Sequence, residues 1–162
     1  MEIERKFLIK ELPENLEAYP SHHIEQGYLN DSPVVRVRKE DNAYYLTYKG
    51  SGMMAREEVN LVLNEEAYYH LRNKTDGKII SKQRYLIPLP HPAVREGIPK
   101  PPEDYSLTIE LDVFDPPFAP LIIAEVEFGS KEAAEAFMPP DWFGAEVTYC
   151  REYHNSYMAL QS

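Results

Sequence analysis

The chain has 162 residues and carries 27 acidic against 17 basic residues, a net charge of −10 at pH 7. That length makes one ordinary domain over residues 1–162, able to bury a core without staples. The charge excludes nucleic acid and an anionic membrane as partners, and with Cys150 as the only cysteine neither an internal disulfide nor a zinc knuckle is expected. Charged and apolar residues alternate from Glu2 onward, unlike a secretory leader, and Leu121-Ile122-Ile123-Ala124 is far too short to span a bilayer, so the expected location is cytoplasmic.

The dominant period is two, the signature of strands with two unlike faces. Residues 2–9 alternate Glu2, Glu4 and Lys6 against Ile3, Phe7 and Ile9. A first helix is expected over part of 11–19, led by Pro13. Strand patterns follow at 23–29 (Ile24, Gln26 and Tyr28 on one face), 34–38 (Arg36 and Arg38), 43–49 (Tyr45, Thr47 and Lys49) and 56–62 (Arg56, Glu58 and Asn60). Asp31-Ser32-Pro33, Glu40-Asp41-Asn42 and Gly50-Ser51-Gly52 are short connections, so these neighbours are antiparallel. Asn64 is a good N-cap for a second helix with Glu65 and Glu66 in its first turn. A strand at 78–87 carries Lys82 and Arg84 on one face. Residues 88–102 hold six of the 14 prolines, a stiff loop rather than a linker. Strands at 105–114 (Glu110 and Asp112) and 121–128 (Glu125 and Glu127) bring the expected number to eight. A helix after Ser130 turns Ala133, Ala134 and Phe137 inward, and a short one runs from about Tyr153 to Leu160.

An antiparallel strand with one polar face usually turns it to water, where Ser, Thr, Lys, Glu, Asn and Gln mix. Here that face sorts by charge. The basic set is Lys6, Arg36, Arg38, Lys49, Arg56, Lys82 and Arg84; the acidic set is Glu2, Glu4, Glu58, Glu110, Asp112, Glu125 and Glu127. Seven stand against seven, so the whole net charge of −10 lies outside these positions. Strands closing with these faces inward would enclose a balanced, segregated field. Arg and Lys clusters bind phosphate oxygens and carboxylate clusters bind hard divalent cations, the two requirements of phosphoryl transfer. His22, His23 and His154 read as loop or surface residues, and Trp142 and Cys150 as packing.

Glu2-Ile3-Glu4-Arg5-Lys6 resembles the ExExK signature of the CYTH superfamily, the triphosphate tunnel metalloenzymes. The resemblance continues through Gln26-Gly27-Tyr28-Leu29, Arg36-Val37-Arg38, Tyr48-Lys49-Gly50, Arg56-Glu57-Glu58, Lys82-Gln83-Arg84-Tyr85, Glu110-Leu111-Asp112, Glu125-Val126-Glu127 and Glu146-Val147-Thr148. It implies a mainly β (α+β) fold: an eight-stranded antiparallel closed barrel, a tunnel with a charged lumen flanked by a few helices. It implies hydrolysis of a linear triphosphate with Mg²⁺ or Mn²⁺, two ions during catalysis, and most resembles the compact bacterial inorganic triphosphatases acting on tripolyphosphate. Glu2, Glu4 and Glu127 are the first expected metal ligands, with Glu58, Glu110, Asp112 and Glu125 as supporting or second-metal groups. Lys6, Arg36, Arg38, Lys49, Arg56, Lys82 and Arg84 are expected to hold phosphate oxygens. Lys49 or Lys82 is expected to assist proton transfer, with Tyr28 hydrogen-bonding one of them. An adenylyl cyclase, a nucleoside or thiamine triphosphatase, or a non-catalytic polyphosphate-binding module are the alternatives. Where the resemblance implies Asp and Arg, this chain has Cys150 and Glu152 with Arg151 between them, so a charge pair there is rearranged. The apolar outer faces of a polar-cored barrel need cover from helices or from a second copy, which makes a homodimer one expected assembly.

Overall fold

Period two becomes strand wherever the sequence indicates it. The computed structural model describes residues 1–161. Its strands are β1 Glu2–Leu8, β2 Ser21–Asn30, β3 Val34–Glu40, β4 Ala43–Lys49, β5 Ala55–Arg56, β6 Glu58–Leu63, β7 Asp76–Pro90, β8 Ser106–Phe114 and β9 Ile122–Glu127. The helices are α1 Glu65–Arg72, α2 Lys131–Ala136 and α3 Asn155–Gln161. The strands pair antiparallel in the order β5-β1-β9-β8-β7-β2-β3-β4-β6.

The two ends of that order are one piece of chain. Glu57 alone separates β5, paired with β1 through Glu2↔Arg56, from β6, paired with β4 through Lys49↔Glu58. The ladder therefore returns on itself, and the nine segments trace the eight expected strand paths, one of them broken. Closure leaves no long edge for pairing with another chain.

Two apolar clusters flank the wall. Outside it, Phe7, Ile109, Leu111, Val126 and Phe128 pack under Ala134 and Phe137. Ser130 starts α2 by accepting from the Ala133 N–H, as Asn64 starts α1 by accepting from Ala67. The second cluster is Tyr28, Val34, Ile80, Phe114 and Ile123, packed against Met158 and Ala159 of α3. By strand alternation these five share a face with Gln26, Arg36, Lys82 and Asp112. The inward face is thus charged along most of its length and apolar at one end, which α3 stoppers. On the outside of β6, Val59 and Leu61 stay exposed.

Gly77 lets α3 sit this close. Its φ is +65°, and a Cβ there would run into the carbonyl of Ala159. Gly77→Ala is expected to cost roughly 2 kcal/mol or more, from left-handed strain and the lost fit of α3. Urea unfolding measures this; a cost below about 0.5 kcal/mol would show that α3 is not held there.

The first expected helix does not form. Only a single 3₁₀ turn, Leu16–Ala18, occupies residues 11–19. None of its three residues is fully buried, and Asn15 before it stands in the left-handed region at φ 56°, which interrupts an α-helical run, so too few residues remain to offset the cost of nucleation. The other three expected helices are present. Among the described residues no helix is long and apolar enough to cross a membrane.

Candidate functional site

The barrel encloses a cavity of about 210 Å³. Glu2, Glu4, Lys6, Tyr28, Arg36, Arg38, Lys49, Arg56, Glu58, Lys82, Arg84, Glu110, Glu125 and Glu127 all line it. The polar face therefore points inward, the choice that period two by itself leaves open.

Strand register builds the ion pairs. Lys49 stands opposite Glu58, and its Nζ lies 3.3 Å from Glu58 and 3.0 Å from Glu2. Lys6 stands opposite Glu125, 3.2 Å away. Arg84 stands opposite Asp112 and donates from Nε and Nη2 to its two oxygens at 2.7 and 2.9 Å. Arg84 also reaches Glu110 at 3.1 Å. Lys82 Nζ lies 2.6 Å from Asp112.

Asp112 stands apart from the other acids of the set. It is fully buried, both oxygens are taken by Lys82 and Arg84, and it is not part of the cavity wall. Burial opposes its charge, but Arg84 and Lys82 outweigh it and hold the carboxyl below the usual range. An acid so placed orients cations from behind the cavity wall. Tyr28 also differs from expectation: its hydroxyl accepts from Gln26 Nε2 at 3.1 Å, and no lysine bonds it.

Glu4 and Glu127 are the contrast. They stand directly opposite one another on β1 and β9, an unfavourable arrangement for like charges. Neither takes part in a side-chain ion pair or hydrogen bond among the described residues. Burial first, then Glu125 and Glu2, push the Glu4 carboxyl up to about 8. Burial, then Glu2, Glu110 and Glu58, also raise Glu127. Two facing carboxylates, crowded by further acids, match the oxygen donor set of a hard divalent cation. Among the described residues no three acidic, imidazole or thiol groups already converge as a coordination shell; Glu2, Glu58 and Glu125 are turned onto lumen cations instead.

The opposite deficit lies on β3. Arg36 and Arg38 are neighbours on the inner face, yet Arg36 touches no carboxylate among the described residues. Its Nη2 donates to Thr47 at 3.3 Å and its buried Nε has no partner among the described residues. Arg38 donates from Nε to Gln26 Oε1 at 2.8 Å, with Glu40 no closer than 3.9 Å. Burial, then the charges of Arg36 and Arg84, lower its pKa to about 10. Lys82 is held down to about 7, by burial first and by Arg84 and Arg38, with Asp112 opposing.

Gln26, Thr47, Asn60, Asn155 and Ser156 belong to the same inner shell, although the sequence assigns none of them a role in the site. The first three were within reach, since they alternate in phase with Tyr28, Lys49 and Glu58. Asn155 and Ser156 carry no such signal; they arrive from α3. His154 is buried rather than on the surface, with Nε2 at 2.9 Å from the Thr148 carbonyl. Near the Cys150 and Glu152 departure, Arg151 lies 3.7 Å from Asp31.

The strands thus form a closed antiparallel barrel with carboxylates and guanidiniums turned into its own lumen, and the CYTH domain model matches residues 1–135: the chain belongs to the CYTH family. Within it, the chain is 39% identical to the inorganic triphosphatase of Nitrosomonas europaea, the match covering 98% of this chain and 97% of that one. It is 32% identical to the inorganic triphosphatase of Acetivibrio thermocellus, covering 96% and 90%. The crystal structure of an inorganic triphosphatase superposes with a TM-score of 0.65 at 33% identity, covering 99% of this chain and 95% of that one.

Proposed function

We propose that this protein hydrolyses a linear inorganic triphosphate, tripolyphosphate, to pyrophosphate and phosphate in a reaction that requires a divalent metal. The observation that carries the reading is the pair Arg36 and Arg38: a buried and a partly buried guanidinium side by side, one with an orphaned Nε, neither matched by a close carboxylate among the described residues. A polyanion supplies the missing charge and acceptors, and guanidiniums bind phosphate oxygens in pairs. The full sequence similarity to two inorganic triphosphatases supports the same substrate.

Lys6, Arg36, Arg38, Lys49, Arg56, Lys82 and Arg84 are assigned to phosphate oxygens. Glu2, Glu4 and Glu127 would hold the metal, with Glu58, Glu110 and Glu125 in support; Asp112 is reassigned as the anchor of Lys82 and Arg84. When bound, Mg²⁺ or Mn²⁺, as two ions, would neutralise phosphate charge and lower the pKa of a coordinated water. The protein's own part is to stretch the chain of phosphates along β3 and β7 so that the terminal phosphorus is held for in-line attack. Water adds to that phosphorus, the anhydride bond breaks, and pyrophosphate leaves. Lys82, with its ammonium held near 7, is an amine often enough at neutral pH to take the proton of the attacking water. Lys49 is assigned to binding, since Glu2 and Glu58 both engage its ammonium.

Phosphate release from tripolyphosphate, with and without Mg²⁺ or Mn²⁺, tests the reading. Binding without release would make the protein a polyphosphate-binding module, and cyclic AMP from ATP would make it a cyclase; either overturns hydrolysis. Arg38→Ala removes a contact made before as well as during the transition state, so KM is expected to rise at least about 10-fold while kcat falls. An unchanged KM would remove Arg38 from the phosphate path.

A further inference from the structure

The inner shell contains a polar relay that neither the ion pairs nor the phosphate clamp accounts for. Arg38 Nε donates to Gln26 Oε1 at 2.8 Å. Gln26 Nε2 donates to Asn155 Oδ1 at 3.0 Å and to the Tyr28 hydroxyl at 3.1 Å. Asn155 Oδ1 accepts a second bond from Lys82 Nζ at 2.9 Å. Gln26 is fully buried and Asn155 nearly so.

The ends of this relay fix the orientation of its middle. Arginine can only donate, so Gln26 must present its oxygen to Arg38 and its amide nitrogen to Asn155. A donating Gln26 and a donating Lys82 then both require the oxygen of Asn155, and the amide cannot turn over without facing N–H against N–H. Lys82 Nζ consequently has two fixed acceptors, Asp112 on one side and Asn155 on the other. A tetrahedral nitrogen held at two of its substituents has only one position left. In the ammonium that position is a third N–H; in the amine it is the lone pair. Either way it is left to the cavity that Lys82 lines.

We infer that Asn155, locked by Gln26, is a positioning residue that aims the free substituent of Lys82 at the terminal phosphate, and that α3 is thereby part of the active site rather than only the stopper of the barrel. The inference rests on the proposed triphosphatase activity. It explains why a helix far along the chain sends an amide into a lumen otherwise built from strands. With Asn155 absent, Lys82 keeps Asp112 and rotates about that one bond. Substrate still meets the same cations, so binding is preserved and turnover suffers.

Asn155→Leu is nearly isosteric and removes the acceptor. It is expected to lower kcat on tripolyphosphate about 10- to 100-fold, with KM changed less than about threefold. Asn155→Asp retains an oxygen for both donors and adds a negative charge near the phosphates; it is expected to keep kcat within about fivefold of wild type while KM rises. In a Lys82→Met background, Asn155→Leu is expected to change kcat less than about twofold, because the residue it positions is gone. Equal losses in the Leu and Asp variants, or a full loss in the Lys82→Met background, would assign Asn155 to folding alone and overturn the inference. Wild-type protein without activity would sink the proposed function instead, and a readout free of substrate covers that case. The ¹⁵Nζ resonance of Lys82 is expected to move in Asn155→Leu and in Gln26→Leu; a resonance unmoved in both overturns the inference whatever the substrate.

Discussion

Glu4→Gln is expected to lower kcat on tripolyphosphate by more than about 100-fold, beyond the effect usual for residues that only support a metal ligand. The substitution keeps size and polarity and deletes one charge from the facing pair Glu4 and Glu127. Its second signature is in the metal-free protein. The folded protein holds the Glu4 carboxyl up to about 8 against an ordinary 4.5, by burial and by Glu125 and Glu2. A raised carboxyl favours folding while protonated, and that contribution is lost as pH rises from about 4.5 through about 8. Metal-free wild type should therefore lose stability over that window, and Mg²⁺ or Mn²⁺ should restore more of it at pH 8 than at pH 6. Glu4→Gln should be insensitive to pH in that respect and show a much smaller metal-induced rise in Tm. Calorimetric scans at the two pH values, with and without metal, separate the cases. Equal metal stabilisation in wild type and variant, with kcat within a few-fold, would remove Glu4 from the metal site.

Asp112→Asn is the largest expected loss of stability. The change leaves Lys82 and Arg84 buried beside a neutral amide where a carboxylate had met both, at 2.6 and 2.7 Å. Breaking a buried pair from one side costs about 3–5 kcal/mol, because the stranded charge stays desolvated. For a domain of this length that lowers Tm by roughly 10 °C. The depressed carboxyl also sets a pH dependence of opposite sign to that of Glu4. Its stabilisation is present above the ordinary aspartate value of 3.8 and is lost as pH falls through the lower folded value. The wild-type advantage over Asp112→Asn should thus persist down to about pH 4 and shrink only in stronger acid. A Tm within about 2 °C of wild type at neutral pH would show that the two cations find other partners and that Asp112 is not their anchor.

These expectations rest on features of unequal legibility in the sequence. Strand identity was readable because alternation is local: Glu110-Leu111-Asp112 and Arg36-Val37-Arg38 commit a side chain to one of two faces with no knowledge of the rest of the chain. The gathering of Lys82 with Arg84 on one strand, and of Glu110 with Asp112 and Glu125 with Glu127 on two others, was equally readable, and so were the caps Asn64 and Ser130, whose bonds span three residues. Within-strand phase also held Gln26, Thr47 and Asn60, although uncharged residues on a polar face carry no chemical signal of their own. The helix expected at 11–19 has Leu12, Leu16 and Tyr19 at helical spacing, but Asn15 takes up the left-handed region at φ 56°, a backbone choice that no apolar pattern announces.

What the sequence by itself determined is which residues share a face. What only the tertiary structure decided is which way that face points and which charges meet across it. Inward orientation needs the ladder to close, and closure depends on Glu57 joining two strands that pair with opposite edges, a fact of register between residues far apart. Register likewise separates the acids into those already neutralised, such as Asp112 between Lys82 and Arg84, and those left facing each other, Glu4 and Glu127. All of them are equally acidic in the sequence; their roles diverge because a cross-strand neighbour about 5 Å away decides whether a buried charge is paired. Asn155 is the extreme case. It enters the lumen only because Gly77 lets α3 press against the barrel, so its contact with Lys82 spans 73 residues and leaves no trace in any local pattern.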